Sequence, residues 1–249
     1  MILMISPAKT FRKSQKVYNQ YPVFKKSTDI LLKHLKSLSI DQLKDCMKLS
    51  LNVAQKTYAY YQAFDKELQP AIFTYFGHQY KLIDAISLAS KDLNYLNNHV
   101  YIMSGLYGLL KPLDMISFYR LEMKDRSFKN LYDFWKPKIT NHLKSNHLHE
   151  IIINLASLEY GQLVKNLDFV YTLEFYLIKD DKLSIHSMEA KKLRGLITRH
   201  IITQKIDSLD ALKKITIEGY SYNSNLSKNK TLLFTKKDIN YEKIIKTTT

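Results

Sequence analysis

A chain of 249 residues with 45% hydrophobic side chains can bury a substantial core, which excludes a disordered polymer. Its 38 lysines and arginines exceed 23 acidic residues, and the resulting charge of +15 attracts polyanions. The apolar run Met1–Ile5 is too short for a signal peptide or a spanning helix, and Cys46 is the only cysteine, so we expect a cytoplasmic protein with no membrane partner.

Hydrophobic periodicity predicts alternating strands and helices. In chain order it predicts a strand over 1–6, helices over 28–38 and 39–64, a strand over 100–104, a helix over 131–143, strands over 150–156 and 169–178, a helix over 190–205 and a hairpin over 222–236. Ser39 and Gln42 have the spacing of a capping box, and Leu43, Met47 and Leu51 recur on one helix face. We expect a mixed α/β (α+β) fold in a single compact domain spanning 1–249.

The segment Ser6-Pro7-Ala8-Lys9-Thr10 follows the first predicted strand directly. Ligands of α/β sheets commonly bind at the carboxyl ends of strands, and Lys9 could meet a phosphate there as a point charge. An ordinary turn explains the same residues equally well.

A second segment runs from Ser104 to Asp114 and holds two of the six glycines, Gly105 and Gly108. A Gly-x-x-Gly turn exposes successive amides that can hold a phosphate, Tyr107 could stack on a base, and Lys111 adds charge. This pattern suggests the hairpin of a helix-hairpin-helix-like element. The alternative is a structural turn whose Leu106 and Tyr107 pack inward.

The remaining candidate cations lie at Arg120 and on the predicted helix 190–205. Arg120 could clamp a phosphate or form a salt bridge with Glu122. On a helical projection Lys191, Arg194 and Thr198 line one edge, whereas Lys192 and Arg199 point outward. Such a basic helix suits phosphate tracking, and a solvated amphipathic face is the alternative.

Gly195 lies inside this same helix. Glycine costs roughly 1 kcal/mol relative to alanine in a helix interior. That cost suggests that another backbone or a ligand approaches closely at Gly195.

Metal and cofactor motifs are absent from the sequence. It contains no Walker A segment, no G-x-G-x-x-G, no H-E-x-x-H and no paired C-x-x-C. His147 and His149 could share a metal only on a strand face, and no third ligand accompanies them. We therefore expect no metal site and no cofactor.

Several motifs occur together in a characteristic order and spacing. They are Ile5-Ser6-Pro7-Ala8-Lys9-Thr10, Ser104-Gly105-Leu106-Tyr107-Gly108, Lys111-Pro112-Leu113-Asp114, Tyr119-Arg120-Leu121-Glu122-Met123, Leu131-Tyr132-Asp133-Phe134-Trp135, Ile153-Asn154-Leu155-Ala156-Ser157, Glu159-Tyr160, Ala190-Lys191-Lys192, Arg194-Gly195 and Glu218-Gly219-Tyr220. With them the chain resembles the YaaA peroxide-stress family. The resemblance implies a cytosolic protein induced by peroxide that limits iron-dependent damage. It also implies DNA binding through a helix-hairpin-helix-like element.

The chain departs from the family pattern at three positions. The family's Phe-x-Gly-Asp-Val-Tyr is replaced by Phe-Gly-His-Gln-Tyr, so His78 stands at the acidic position. Leu82 replaces a following glycine, and Leu158 replaces a polar residue before Glu159. If those polar positions serve a ligand site, part of that site is lost here.

These observations support two hypotheses of different classes. The leading one is a DNA-binding stress protein without an assigned catalytic residue, whose contacts are Lys9, Gly105, Tyr107, Gly108, Lys111, Arg120, Lys191, Lys192 and Arg194. The rival is an enzyme acting on a nucleotide or nucleobase, in a cleft built from Ser6, Lys9, Asp114, Arg120, Glu122 and Glu159. Geometry discriminates them, because a convex basic surface favours DNA and a deep pocket favours an enzyme.

Overall fold

A computed structural model of the chain describes residues 1–180, 182–184 and 186–237. Its strands are β1 (Ile2–Ile5), β2 (Thr10–Phe11), β3 (Gln69–Pro70), β4 (Tyr75–Phe76), β5 (Val100–Ser104), β6 (Gly108–Leu110), β7 (Met115–Ile116), β8 (Ile152–Asn154), β9 (Val170–Lys179), β10 (Lys182–Ser184), β11 (Thr216–Ile217), β12 (Tyr220–Tyr222) and β13 (Thr231–Lys237). Its helices are α1 (Lys25–Ser37), α2 (Ile40–Cys46), α3 (Leu51–Gln62), α4 (Ala71–Thr74), α5 (His78–Ile83), α6 (Ser90–His99), α7 (Leu131–His147), α8 (Leu158–Gly161), α9 (Ser187–Gln204) and α10 (Leu209–Lys213).

The centre of the molecule is a mostly parallel sheet with the order β11-β12-β13-β9-β8-β1-β5-β6, to which β10 adds beside β9. Strand β1 pairs in parallel with both β5 and β8, and all of its residues are buried. A continuous apolar run is expected of a strand that is covered on both faces. Antiparallel strands form both edges, namely β6 at one and β12 and β11 at the other, and the short β10 pairs antiparallel with the end of β9. The mixed α/β fold is therefore confirmed, and the domain assignment over 238–249 lies outside the described residues.

The long helix predicted for 39–64 is two helices, α2 and α3. The capping box is confirmed, since the Ser39 Oγ accepts a hydrogen bond from the Gln42 amide at 3.2 Å and the Gln42 Oε1 accepts one from the Ser39 amide at 2.8 Å. Helix α2 ends before Lys48, whose φ of 52° is left-handed and interrupts the helical hydrogen bonding. The break turns Leu51 outward, where it is 51% exposed rather than buried beside Leu43.

The helix-hairpin-helix-like element is not confirmed, because strands β5 and β6 flank the Gly105–Gly108 turn. Tyr107 is buried, and its hydroxyl accepts a hydrogen bond from the Ser117 amide at 2.9 Å. Its ring packs on the rings of Phe64 and Tyr119, so neither face is open to a base. The alternative of a structural turn that packs inward describes this segment.

Gly108 shows why the turn requires glycine. Its φ is +73°, and a Cβ built there would lie 2.6 Å from the Trp135 ring. The Trp135 Nε1 also donates a hydrogen bond to the Gly105 carbonyl at 2.7 Å. Gly108 therefore serves the packing of the turn against α7, whereas the missing Cβ of Gly105 makes room for the Leu121 backbone.

The predicted hairpin over 222–236 is confirmed as the antiparallel pair β12 and β13. The helix predicted for 190–205 is confirmed as α9, which packs against α5 at Gly195. A Cβ at Gly195 would lie 2.5 Å from the Gln79 carbonyl oxygen and 2.9 Å from the Leu82 Cβ. The expected close approach at Gly195 is thus made by the backbone of α5.

Gly195→Ala should destabilise the protein although alanine is the better helix former. The gain in helix propensity is about 1 kcal/mol, whereas overpacking against a backbone atom costs about 1–3 kcal/mol. We expect a lower urea midpoint with an unchanged slope, measured by circular dichroism. Gly77→Ala is the control, because its nearest contact would be an ordinary 3.5 Å from the Ala8 Cβ. A stabilised Gly195→Ala would contradict the tight helix contact.

Candidate functional site

A cleft of about 450 Å³ opens where β1 ends and where the chain leaves β8. It is lined by Ser6, Pro7, Ala8, Lys9, Thr10, Phe76, Gly77, His78, Gln79, Tyr80, Tyr119, Arg120, Leu121, Glu122, Ser157, Glu159, Tyr160, Lys191 and Arg194. The carboxyl ends of parallel strands are the usual place for ligands in α/β sheets, so this cleft is the candidate functional site.

Hydrogen bonds between the two strand ends form one wall of the cleft. The Ser157 amide donates to the Ser6 Oγ at 2.8 Å, and the Ser6 hydroxyl donates to the Ser157 Oγ at 3.3 Å. The Tyr80 hydroxyl donates to the Ser6 carbonyl at 2.8 Å. The Ser6 hydroxyl therefore both donates and accepts a hydrogen bond within the wall, which gives Ser6 a positioning role.

The Glu122 carboxylate joins two predicted cations. Its Oε2 lies 2.7 Å from the Lys9 Nζ, and its Oε1 lies 3.3 Å from the Arg120 guanidinium. The salt bridge that the sequence left open for Arg120 is therefore present. The side chain of Lys9 is 64% exposed, whereas those of Arg120 and Glu122 are 25% and 19% exposed. The Lys9 side chain is thus mostly exposed to solvent, while its ammonium group is held by Glu122.

Two further carboxylates lie near this ion pair. The Asp125 Oδ2 accepts a hydrogen bond from the Glu122 amide at 2.7 Å, and burial, opposed by that bond and aided by the charges of Glu122 and Glu159, raises the pKa of Asp125 to about 6. The Glu159 Oε1 accepts a hydrogen bond from the Lys124 amide at 3.3 Å. Within the described residues no cation forms an ion pair with Glu159. Of the two carboxylates that line the cleft, Glu122 is therefore paired and Glu159 is not.

Aromatic rings supply the apolar part of the cleft, namely those of Phe76, Tyr80, Tyr119 and Tyr160. The Tyr119 hydroxyl is hydrogen bonded to the Tyr75 hydroxyl at 2.6 Å and to the Ser104 Oγ at 2.7 Å. Burial raises the pKa of Tyr119 to about 12, so it stays neutral and fixed in this network. Flat rings beside fixed polar groups suit a planar ligand.

Helix α9 contributes Lys191 and Arg194 to the cleft. Burial lowers the pKa of Arg194, with Glu174 and Tyr176 acting in the opposite direction. In the part of the chain that the structure describes, the Arg194 Nε is buried without a hydrogen-bond partner. Lys192 points elsewhere, because its Nζ lies 3.1 Å from the Glu218 carboxylate outside the cleft lining.

The structure therefore brings together part of the predicted set, namely Lys9, Arg120, Lys191 and Arg194. Lys111 lies apart from the cleft. It follows β6, which runs antiparallel to β5 and so leads the chain away from the carboxyl ends of the parallel strands. Gly105, Tyr107, Gly108 and Lys192 do not line the cleft either.

Asp114 of the rival hypothesis is a structural residue. It is buried, and its carboxylate accepts hydrogen bonds from the Gln20 Nε2 at 2.9 Å and the Lys111 amide at 2.7 Å. The other five residues of that hypothesis all line the cleft: Ser6, Lys9, Arg120, Glu122 and Glu159.

Sequence reasoning missed Gln79 and Asp125, which carry no motif of their own, and named His78 only as a departure. His78 is exposed and lines the cleft. Leu158 is 80% exposed and lies outside the lining, so its apolar side chain does not remove a group from the cleft.

Within the described ranges, no helix is both long and apolar enough to cross a bilayer. The same residues contain no group of three or more His, Cys, Asp or Glu side chains arranged for a metal ion.

The raised pKa of Asp125 predicts a pH dependence of stability. Between its ordinary value of 3.8 and about 6, the folded protein retains a proton that the unfolded chain has lost. Stability should therefore fall as pH rises through this window, by roughly 1–2 kcal/mol after allowance for partial exposure. In Asp125→Asn that fall should disappear from urea unfolding at pH 4.5 to 7.5. Asp45→Asn is the control, since Asp45 is 77% exposed, and an unchanged profile in Asp125→Asn would contradict the assignment.

Comparison with known proteins agrees with the motifs found in the sequence. The sequence model of the family described as peroxide stress protein YaaA matches residues 1–226. A UPF0246 protein of Flavobacterium psychrophilum is 40% identical over 95% of this chain and 100% of its own length. UPF0246 proteins of Clostridioides difficile and Finegoldia magna are 36% and 38% identical over 95% of this chain, with 100% and 98% of their own lengths covered. The chain therefore belongs to the peroxide stress protein YaaA family.

Proposed function

We propose that the cleft is the active site of an enzyme that acts on a nucleotide or nucleobase. The observation that carries this proposal is the convergence of Ser6, Lys9, Arg120, Glu122 and Glu159 on one cavity. These residues come from three separate segments of the chain, and a concave site with convergent polar groups is the usual form of a small-molecule site. A cavity is also the geometry that favours the enzyme over a convex DNA-binding surface.

The chemistry of the lining matches such a ligand. Lys9, Lys191 and Arg194 offer positive charge to an anion, and the side chains of Phe76 and Tyr160 add apolar lining beside them. A cavity of about 450 Å³ falls within the ordinary size range of ligand pockets.

Glu159 is the carboxylate best placed to transfer a proton. Glu122 already balances Lys9 and Arg120, so its role is to position those cations. Glu159 lines the cleft with a hydrogen bond from a backbone amide and without an ion pair among the described residues. A carboxylate so held can act as the general acid or base of the reaction.

Glu159→Gln should therefore separate binding from turnover. Glutamine keeps the shape and the backbone hydrogen bond but cannot transfer the proton, so turnover should fall by about 10²–10⁴-fold. Common nucleobases, nucleosides and nucleoside monophosphates would be incubated with the protein and the products followed by mass spectrometry, with affinity from calorimetry. We expect affinity within about two-fold of the parent.

Glu67→Gln is the matched control, because Glu67 is 66% exposed and paired with Lys13 away from the cleft lining. An unreactive parent protein across the whole panel would refute the enzyme. Full turnover by Glu159→Gln would refute the role of this carboxylate.

We propose DNA as the second candidate ligand, on the observation that Lys9 and Lys191 stand exposed at one cleft of a protein with charge +15. In this function the protein binds the DNA backbone in the cytoplasm during peroxide stress and limits iron-dependent damage. The phosphate contacts would be Lys9, Lys191 and Arg194, with Lys9 sharing the Glu122 carboxylate with the less exposed Arg120.

The DNA function predicts a salt dependence set by these contacts. About three phosphate contacts give a slope of log K against log salt near −3. Lys191→Ala should reduce that slope by about one, whereas Lys111→Ala should leave it unchanged, because Lys111 lies outside the cleft lining. Fluorescence anisotropy with a short duplex at several salt concentrations measures both. A flat response would exclude DNA, and equal effects of the two variants would exclude the cleft as its site.

A further inference from the structure

We infer that the Arg194 end of the cleft binds a phosphate monoester, so that the ligand is a nucleoside monophosphate rather than a nucleoside or a free base. This inference rests on the proposed enzymatic function and names the substrate class of the same site.

Two unpartnered nitrogen donors belong to the cleft. Among the described residues, the buried side-chain nitrogens without a hydrogen-bond partner are the Gln79 Nε2 and the Arg194 Nε. Both residues line the cleft, and Gln79 is only 6% exposed. Because a buried donor without a partner costs about 1–3 kcal/mol, two of them at one cavity indicate that an acceptor completes the site.

The helix contact brings together the two residues that carry these donors. Gly195 follows Arg194, and its missing Cβ allows α9 to approach the Gln79 carbonyl directly. The contact is formed by backbone, so the separation of the two residues is set by the fold rather than by flexible side chains.

Arg194 has no ion pair among the described residues, and Glu174 acts on it only through space. Glu174 already accepts a hydrogen bond from the Tyr176 hydroxyl at 2.9 Å. Burial lowers the pKa of Arg194, and the charge of Glu174 opposes that shift. The guanidinium is therefore open to an anion at this end of the cleft.

Lys191 adds a second cation on the same face of α9, one helical turn before Arg194. Two cations suit the dianion of a phosphate monoester better than a single carboxylate, and a guanidinium matches phosphate oxygens with two parallel hydrogen bonds. The exposed His78 also lines this cleft.

The test compares matched ligands on matched variants. Adenosine, guanosine, cytidine and uridine, their 5′-monophosphates and inorganic phosphate would be titrated by calorimetry into the full chain. We expect at least one monophosphate to bind ten-fold or more tightly than its nucleoside, and inorganic phosphate to compete with it. Arg194→Met keeps the aliphatic stem and should abolish this preference while leaving the nucleoside affinity within two-fold.

Lys192→Met is the control on the same helix, because Lys192 pairs with Glu218 away from the cleft. It should leave the preference intact. If Arg194→Met fails to fold, the exposed Lys191→Ala replaces it and should weaken the monophosphate alone by three-fold or more.

The outcomes separate the two claims. Nucleosides that bind and react as well as their monophosphates, or an Arg194→Met protein that keeps the full preference, would overturn the phosphate subsite and leave the enzyme standing. A preference lost equally in Lys192→Met would assign it to general charge and also overturn the subsite. Failure of every nucleobase, nucleoside and monophosphate to bind would overturn the enzyme and this inference together.

Discussion

The parallel pairing of β1 with both β5 and β8 is the constraint on which the cleft depends. The register sets Leu3 opposite Val100 and Ile153, so the three strands run to the same edge of the sheet. Beyond that edge the chain places Ser6 and Ser157 within hydrogen-bond distance, although they are far apart in sequence. The site is therefore a consequence of burying an apolar strand on both faces, because that burial leaves the strand ends as the place for polar residues.

The charges at this edge are arranged by one carboxylate. Glu122 contacts both Lys9 and Arg120, and its pair with the mostly exposed Lys9 contributes only about 0–1 kcal/mol to stability. Its effect on geometry is larger than its effect on stability, since it fixes the tip of a long and mostly exposed lysine. The remaining cleft cations, Lys191 and Arg194, come from another element and lack such a counter-ion among the described residues. The cleft thus combines two cations that share one carboxylate with two cations that have no ion pair among the described residues.

Local signals in the sequence predicted the elements that local physics determines. The apolar run of β1 and the capping box at Ser39 are complete within a few residues, and both are confirmed. The break between α2 and α3 was missed, because helical periodicity continues across it through Met47, and only the left-handed Lys48 reveals it. The C-terminal boundary of such a helix depends on tertiary packing as much as on propensity.

The Gly105–Gly108 turn shows the opposite case, in which a motif has two physical causes. A Gly-x-x-Gly spacing serves equally a phosphate-binding loop and a tight turn under a large side chain. Trp135 decides between them, since its ring fills the space beside Gly108. That contact joins β6 to α7, and no residue inside the motif predicts it. The contact that buries Tyr107 against Phe64 joins residues still farther apart in sequence.

Helix α9 shows how far charge alone can be interpreted. The helical projection grouped Lys191 with Arg194 and turned Lys192 and Arg199 outward. Lys191 and Arg194 line the cleft and Lys192 pairs with Glu218, but Arg199 turns toward α5 and donates hydrogen bonds to the carbonyls of Ile83 and Asp84. Periodicity therefore separated the cleft cations from Lys192 but placed Arg199 wrongly. It could not say which face meets a ligand, because that depends on where α5 and the ends of β1 and β8 lie. Adjacent lysines on one helix thus have different roles, and the net charge of the chain is a poor guide to either.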